Sequence, residues 1–301
     1  MYEALKRAQE QGVSLDLAEG ILDAAWRSGT AAGAAVAPAQ APVPAAFAAP
    51  PEPEEAPSPD ATQPPKGQTL RQLPLEVRKD SVVIPWGDSD GPGGEQYRII
   101  RTRIVQHPLR PRMIAVSSAG AGDGKTVSAI NIAGALALRD NANVLLIDAD
   151  FRRSSVSKML GLPAEPGLAN VLSGAATLQT AIVRVSQSPN LYVLAAGTGR
   201  ANPAELLDSG LWRALCTTAR ERFSFVIVDT PPIAAVADYD LIQAHCDGVI
   251  LVVRPDHTDR TLCKKSFEMV PQEKRLGVVL NCASPWFLWK TQESYYYSQR
   301  A

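Results

Sequence analysis

Residues 112–131 read Arg-Met-Ile-Ala-Val-Ser-Ser-Ala-Gly-Ala-Gly-Asp-Gly-Lys-Thr-Val-Ser-Ala-Ile-Asn. The apolar run Met113 to Val116 predicts a buried strand, the Gly-rich stretch a turn, and the residues from Thr126 to about Arg139 a helix, which together make a phosphate-binding loop. Glycines at 120, 122 and 124 allow successive backbone amides to face phosphate oxygens, and the helix N-terminus adds further donors. The loop backbone from Gly120 through Ala121, Gly122, Asp123, Gly124, Lys125, Thr126 and Val127 is therefore the candidate nucleotide cradle. Lys125 is placed to reach the β- and γ-phosphates, and the Thr126 hydroxyl to bind Mg²⁺. Ala119 stands where the usual G-x-x-x-x-G-K-[ST] pattern has its first glycine.

Outward from this loop, apolar runs recur at Asn143–Ile147, Leu191–Leu194, Phe225–Val228, Gly248–Val253 and Leu276–Leu280, separated by helix-forming stretches at 154–160, 167–174 and 204–222. This alternation specifies an α/β fold, a doubly wound, mostly parallel sheet whose ligands sit at the carboxyl ends of the strands. Two runs end in acids: Asp148-Ala149-Asp150 after the first and Asp229 after the third. The phosphate loop and these acids should converge on one crevice. A magnesium triphosphate needs carboxylates to hold the metal, and transfer to a hydroxyl needs a group to take its proton. Asp229, Asp148 and Asp150 are the candidate metal ligands together with Thr126, and Asp148 is the candidate general base or orienting group. Asn281, just after the last run, is the candidate adenine contact, an alternative being a turn former.

The composition narrows the function classes. A formal net charge of −1 gives no basic field for nucleic acid or an anionic membrane. The four cysteines, Cys216, Cys246, Cys263 and Cys282, have no C-x-x-C spacing and read as reduced, buried thiols of a cytoplasmic protein. The first twelve residues carry charges throughout and form no signal peptide, and the longest apolar run, Val249–Val253, is too short to cross a bilayer.

Residues 1–28 pattern as a small helical N-terminal segment, with Ser14 as a candidate N-cap. Residues 29–72 are Ala/Pro-rich, holding ten of the 24 prolines between Pro38 and Pro65, and predict a disordered or semi-rigid linker. The nucleotide domain is assigned to 73–288, opening with an edge strand at Ser81–Ile84, and a tyrosine tail to 289–301. In Glu95-x-x-Arg98-x-x-Arg101 the charges fall along one helix face, which taken alone is a solvated, salt-bridged surface.

Three stretches together resemble the motifs of the bacterial tyrosine kinases of capsule and exopolysaccharide synthesis: Ser117 through Thr126, Leu145 through Arg152, and Val226 through Pro232. The likeness covers about 80–283 and includes Asn202-Pro203-Ala204-Glu205-Leu206-Leu207-x-Ser209. The resemblance implies a P-loop NTPase-like fold, ATP and Mg²⁺ as cofactors, and autophosphorylation of a C-terminal tyrosine cluster, here Tyr295, Tyr296 and Tyr297. It further implies an oligomer interface at Glu95, Arg98 and Arg101 in a homo-oligomeric ring. A separate transmembrane chain-length regulator would recruit the protein to the inner face of the membrane, and a cognate tyrosine phosphatase is a further expected partner. Nucleic acid is not. A tail of about ten residues spans at most roughly 35 Å, enough to reach a neighbouring subunit, so transfer is expected in trans. Two other readings compete. ATPases of the MinD and ParA kind carry a signature lysine five positions before the loop lysine, where this chain has Gly120; a non-catalytic nucleotide-binding scaffold is opposed by intact Lys125, Thr126, Asp148, Asp150 and Asp229.

Overall fold

The computed structural model describes residues 70–77, 92–198, 202–234, 237–255 and 257–283. The helical segment expected at 1–28, most of the linker, the strand expected at Ser81–Ile84 and the tyrosines at 295–297 lie outside these residues.

Eight strands form one sheet in the order β1-β4-β5-β3-β6-β2-β7-β8. Six strands make up most of the sheet: β2 (Met113–Ser118), β3 (Val144–Asp148), β5 (Leu191–Leu194), β6 (Phe225–Asp229), β7 (Gly248–Val253) and, at one edge, β8 (Arg275–Leu280). All six run parallel, as continuous apolar runs covered on both faces do. The far edge differs: β4 (Val183–Val185) pairs antiparallel with β5, and β1 (Arg71–Leu73) pairs parallel with β4. The sheet thus takes in the last two residues assigned to the linker.

Side chains alternate between two apolar layers. Met113, Ala115, Leu145, Ile147, Val226 and Val228 face one core with Trp212 and Tyr239. Ile114, Val116, Leu146 and Ile227 face the other, against Ile130, Ile132 and Leu136 of the helix that follows the phosphate loop. That helix, residues Lys125–Ala137, packs on the helix Pro92–Gln106, which carries Glu95, Arg98 and Arg101. We number these in chain order α1 (Pro92–Gln106) and α2 (Lys125–Ala137), followed by α3 (Val156–Leu160), α4 (Leu168–Leu172), α5 (Leu178–Ala181), α6 (Pro203–Leu207), α7 (Gly210–Arg222), α8 (Asp238–Ala244) and α9 (Arg260–Met269).

The single helix expected over 204–222 is two helices. Asp208 ends α6 and Ser209 begins α7, where the Ser209 hydroxyl donates to the Leu206 carbonyl at 2.6 Å and takes up one orphan acceptor of the helix end. Asn202 caps the start of α6, accepting from the Ala204 amide at 3.2 Å, with Pro203 in the first turn. In register, Asp148 of β3 lies opposite Asp229 of β6, and Val116 of β2 lies opposite Asp229 on its other side. Three neighbouring strand tips therefore present the phosphate loop and both acidic motifs at one edge.

Candidate active site

Parallel strands all point their carboxyl ends the same way, so the residue after each apolar run lands at the same rim. Asp148 and Asp229 are fully buried there and Asp150 is 1% exposed. Lys125, at the start of α2, reaches across the rim. Its ammonium stands 2.8 Å from Asp150 Oδ2 and 3.2 Å from Asp229 Oδ1. The Thr126 hydroxyl donates to Asp229 Oδ2 at 2.7 Å. The expected lysine, threonine and two strand-tip acids thus meet within direct contact distance.

Asp148 is held differently. Its Oδ2 accepts the amides of Ser155 and Val156, each at 3.1 Å, and Oδ1 accepts the Asp150 amide at 3.2 Å. A carboxylate has about four lone-pair sites, so three amides leave one, on Oδ1. Burial, and next the negative charge of Asp229, push the Asp148 carboxyl up to about 7. Burial raises Asp229 too, against the opposing pull of Lys125. For Lys125 itself, burial disfavours the charged form, but the carboxylates of Asp229 and Asp150 outweigh it and raise the ammonium above its ordinary value.

The phosphate loop is braced by the segments that follow β7 and β8. Asp123, expected among the nucleotide contacts, is 1% exposed and turns its carboxylate inward: Oδ2 accepts the Gly120 amide at 2.8 Å and Oδ1 accepts the Thr258 hydroxyl at 2.7 Å. The Gly120 amide, expected to face a phosphate, is therefore engaged within the loop. Asn281 Nδ2 donates to the Asp123 carbonyl at 2.9 Å, so the residue expected at the adenine grips the loop. Gly124 has φ 90°, and a Cβ there would collide with the Asn281 amide, which fixes glycine at this position twice over. Thr258 was not legible in sequence, since nothing in a lone threonine 135 positions away marks it as a brace. The same holds for Asp238, whose buried carboxylate takes Arg152 Nε at 2.9 Å.

Glu95 and Arg98 pair with each other at 3.0 Å along α1, and Arg101 donates to the Ala135 carbonyl at 3.4 Å. All four cysteines are free; Cys216, Cys246 and Cys263 are buried as expected, with burial pushing Cys216 up to about 12, whereas Cys282, in the turn after β8, is exposed.

The donor set is one of hard oxygens, which suits Mg²⁺. No group of three or more His, Cys, Asp or Glu side chains forms a metal cage among the described residues. Mg²⁺ in triphosphate sites needs none, because it keeps water ligands and takes only one or two carboxylates besides the phosphates.

This fold and rim define a P-loop NTPase, and the profile of the ParA family, described as NUBPL iron-transfer P-loop NTPase, matches residues 110–299. Curated relatives place the chain more narrowly. It is 36% identical over 203 residues to the tyrosine-protein kinase YwqD of Bacillus subtilis (strain 168), covering 66% of this chain and 85% of that one. With the tyrosine-protein kinase CpsD of Streptococcus pneumoniae serotype 4 it shares 35% identity over 193 residues, 62% of this chain and 83% of the relative. Among solved structures, the chimerical protein CapA2B2 superposes with a TM-score of 0.63 at 30% identity, covering 71% of this chain and 93% of that one. The kinase domain of the Escherichia coli tyrosine kinase ETK gives 0.60 at 26% identity, covering 71% and 91%. The chain belongs to the bacterial tyrosine-protein kinases, a family of P-loop enzymes that use ATP and Mg²⁺.

Proposed function

We propose that the protein is an autokinase that moves the γ-phosphoryl group of ATP to Tyr295, Tyr296 and Tyr297 of a second copy. The observation that supports this most is the contact of Lys125 with both Asp150 and Asp229, beside an anchored Asp148 whose carboxyl titrates near neutrality. Bound Mg²⁺ would supply positive charge against the β- and γ-phosphates, with Thr126, Asp229 and Asp150 as its protein ligands. Lys125 binds the same phosphates once it leaves the carboxylates. Asp148, held by three amides, keeps one lone pair to orient the phenol and take its proton. The tyrosine oxygen bonds to the γ-phosphorus as the bond to the β–γ bridging oxygen breaks, and ADP departs with that oxygen.

Family membership supports a ring built through Glu95, Arg98 and Arg101, a separate transmembrane regulator of polysaccharide chain length, and a role in capsule or exopolysaccharide synthesis at the inner face of the membrane. A cognate phosphatase would reset the tail. No helix among the described residues is long and apolar enough to cross a membrane, which is consistent with recruitment by a partner. Incubation of the protein with radiolabelled ATP and Mg²⁺, followed by phosphosite mapping, tests the reading. Label on the tail tyrosines that is lost in Lys125→Met supports it; phosphate release with no labelled tyrosine overturns it.

A further inference from the structure

A cavity of about 340 Å³ opens beside the phosphate loop. Gly120, Pro231, Pro232 and Asp150 line it, and so do two consecutive arginines, Arg152 and Arg153. Both arginines are exposed. Their backbone is tied to the reacting centre, because the Arg153 amide donates to Asp150 Oδ1 at 3.0 Å while Oδ2 of the same carboxylate contacts Lys125. Arg152 engages Asp238 through Nε, and its terminal N–H groups make no hydrogen bond to another described residue. The Arg153 guanidinium makes no hydrogen bond or ion pair with another described residue. Two guanidinium groups therefore line a cavity that opens onto Asp150, and the buried carboxylate of Asp238 engages one of them through Arg152 Nε.

Such a pair is surplus to the nucleotide, whose phosphates face the loop and Lys125. Paired guanidinium forks suit a phosphate dianion, which they bind with two parallel charge-assisted hydrogen bonds. The sequence offers such a dianion only after reaction: three adjacent tyrosines stand at 295–297, and each becomes a phosphate ester beside acceptors not yet used. In an extended segment, residues two apart share a face and lie about 7 Å from each other.

We propose that Arg152 and Arg153 bind the phosphate of a tail phosphotyrosine and so hold the tyrosine two positions away at Asp148 and Asp150, making phosphorylation of the tail sequential. This rests on the autokinase reading. The first transfer places a phosphate on Tyr297 or Tyr295; its capture at the arginines returns the other of the two to the reacting centre before the tail leaves.

Two measurements on the full chain test it. In the first, the Tyr295→Phe, Tyr296→Phe, Tyr297→Phe triple variant is titrated with fluorescent peptides of residues 289–299, either unmodified or carrying phosphotyrosine at 297. Binding of the phosphopeptide should be about tenfold tighter, a gap that Arg153→Ala closes and Arg153→Lys narrows. Equal affinities, or a gap untouched by Arg153→Ala, overturn the proposal. In the second, intact-mass spectra follow phosphorylation of the chain with its own tail. The native protein should pass quickly to doubly phosphorylated forms, whereas Arg153→Ala should accumulate about fivefold more of the singly phosphorylated form. Identical distributions overturn the sequential step. Should the native protein form no phosphotyrosine, the autokinase reading fails, and the peptide titration still decides whether the arginines hold the phosphate.

Discussion

The ammonium of Lys125 sits 2.8 Å from Asp150, in the place between strand tips where a metal ion and a phosphate must enter for transfer. The lysine thus neutralises part of a rim that holds three buried acids. Removing one partner of a buried ion pair leaves an uncompensated charge and costs about 3–5 kcal/mol. Lys125→Met should therefore lower the thermal midpoint of the nucleotide-free protein and reduce phosphoryl transfer by at least about a hundredfold. Added Mg²⁺ should recover much of the lost stability by taking over the charge, without recovering transfer. Calorimetry with and without Mg²⁺ checks both parts.

The pH dependence of stability follows from Asp148. Its carboxyl titrates near 7 in the folded protein and near its ordinary value when unfolded, so the folded state favours the proton. Stability from this group is complete at low pH and is lost as pH rises through about 7, by an amount on the order of 4 kcal/mol. Asp229 is raised and acts in the same sense. His107 and His245 are lowered by burial and act oppositely, losing stability as pH falls below the ordinary histidine range. The comparison that isolates Asp148 is Asp148→Asn, which should flatten the loss between about pH 4 and about pH 7 in denaturant midpoints. An unchanged slope would place the titration elsewhere.

Asn281 gives a test that separates two roles. Its amide donates to the Asp123 carbonyl beneath Gly124, and loss of one such bond weakens the loop by about 1 kcal/mol. Asn281→Ala should weaken ATP and GTP by the same factor, roughly five- to tenfold, in equilibrium titrations. A selective loss of ATP would mean that the side chain reads the base as well.

Asp247 accepts the amides of Arg112 and Met113 at 2.9 and 2.8 Å and the Arg220 guanidinium at 2.6 Å, which pins the entry to β2 against α7. Asp247→Ala leaves those donors without a partner and should cost about 1–3 kcal/mol. It lies at the opposite end of β2 from the rim, so transfer per folded molecule should stay within about twofold of native. Urea melts and specific activity measured together check this.

How much of this could be read from sequence depended on range. The runs at 113–116, 144–147, 191–194, 225–228 and 248–253 announced their strands because a strand covered on both faces must be apolar throughout. β1 and β4 were not announced: Arg-Gln-Leu and Val-Arg-Val are three residues each, too short to show a period, and they exist by pairing at an edge. Likewise the motif spacing located Lys125, Thr126, Asp150 and Asp229, which meet because each ends or follows a parallel strand at the same rim. It did not show that Asp148 caps α3, or that Thr258 and Asn281 grip the loop, because those contacts join segments more than a hundred residues apart for the latter two and depend on a five-residue helix for the first.

Transfer of phosphate from one copy to another can be read out by mixing two variants. A chain with an intact tail and Lys125→Met is combined with an active chain whose three tail tyrosines are phenylalanine, and Mg²⁺ and labelled ATP are added. Transfer in trans puts label on Tyr295–Tyr297 of the Lys125→Met chain, rising with the concentration of the active one. Consumption of ATP by the mixture with no labelled tyrosine on that chain would contradict it.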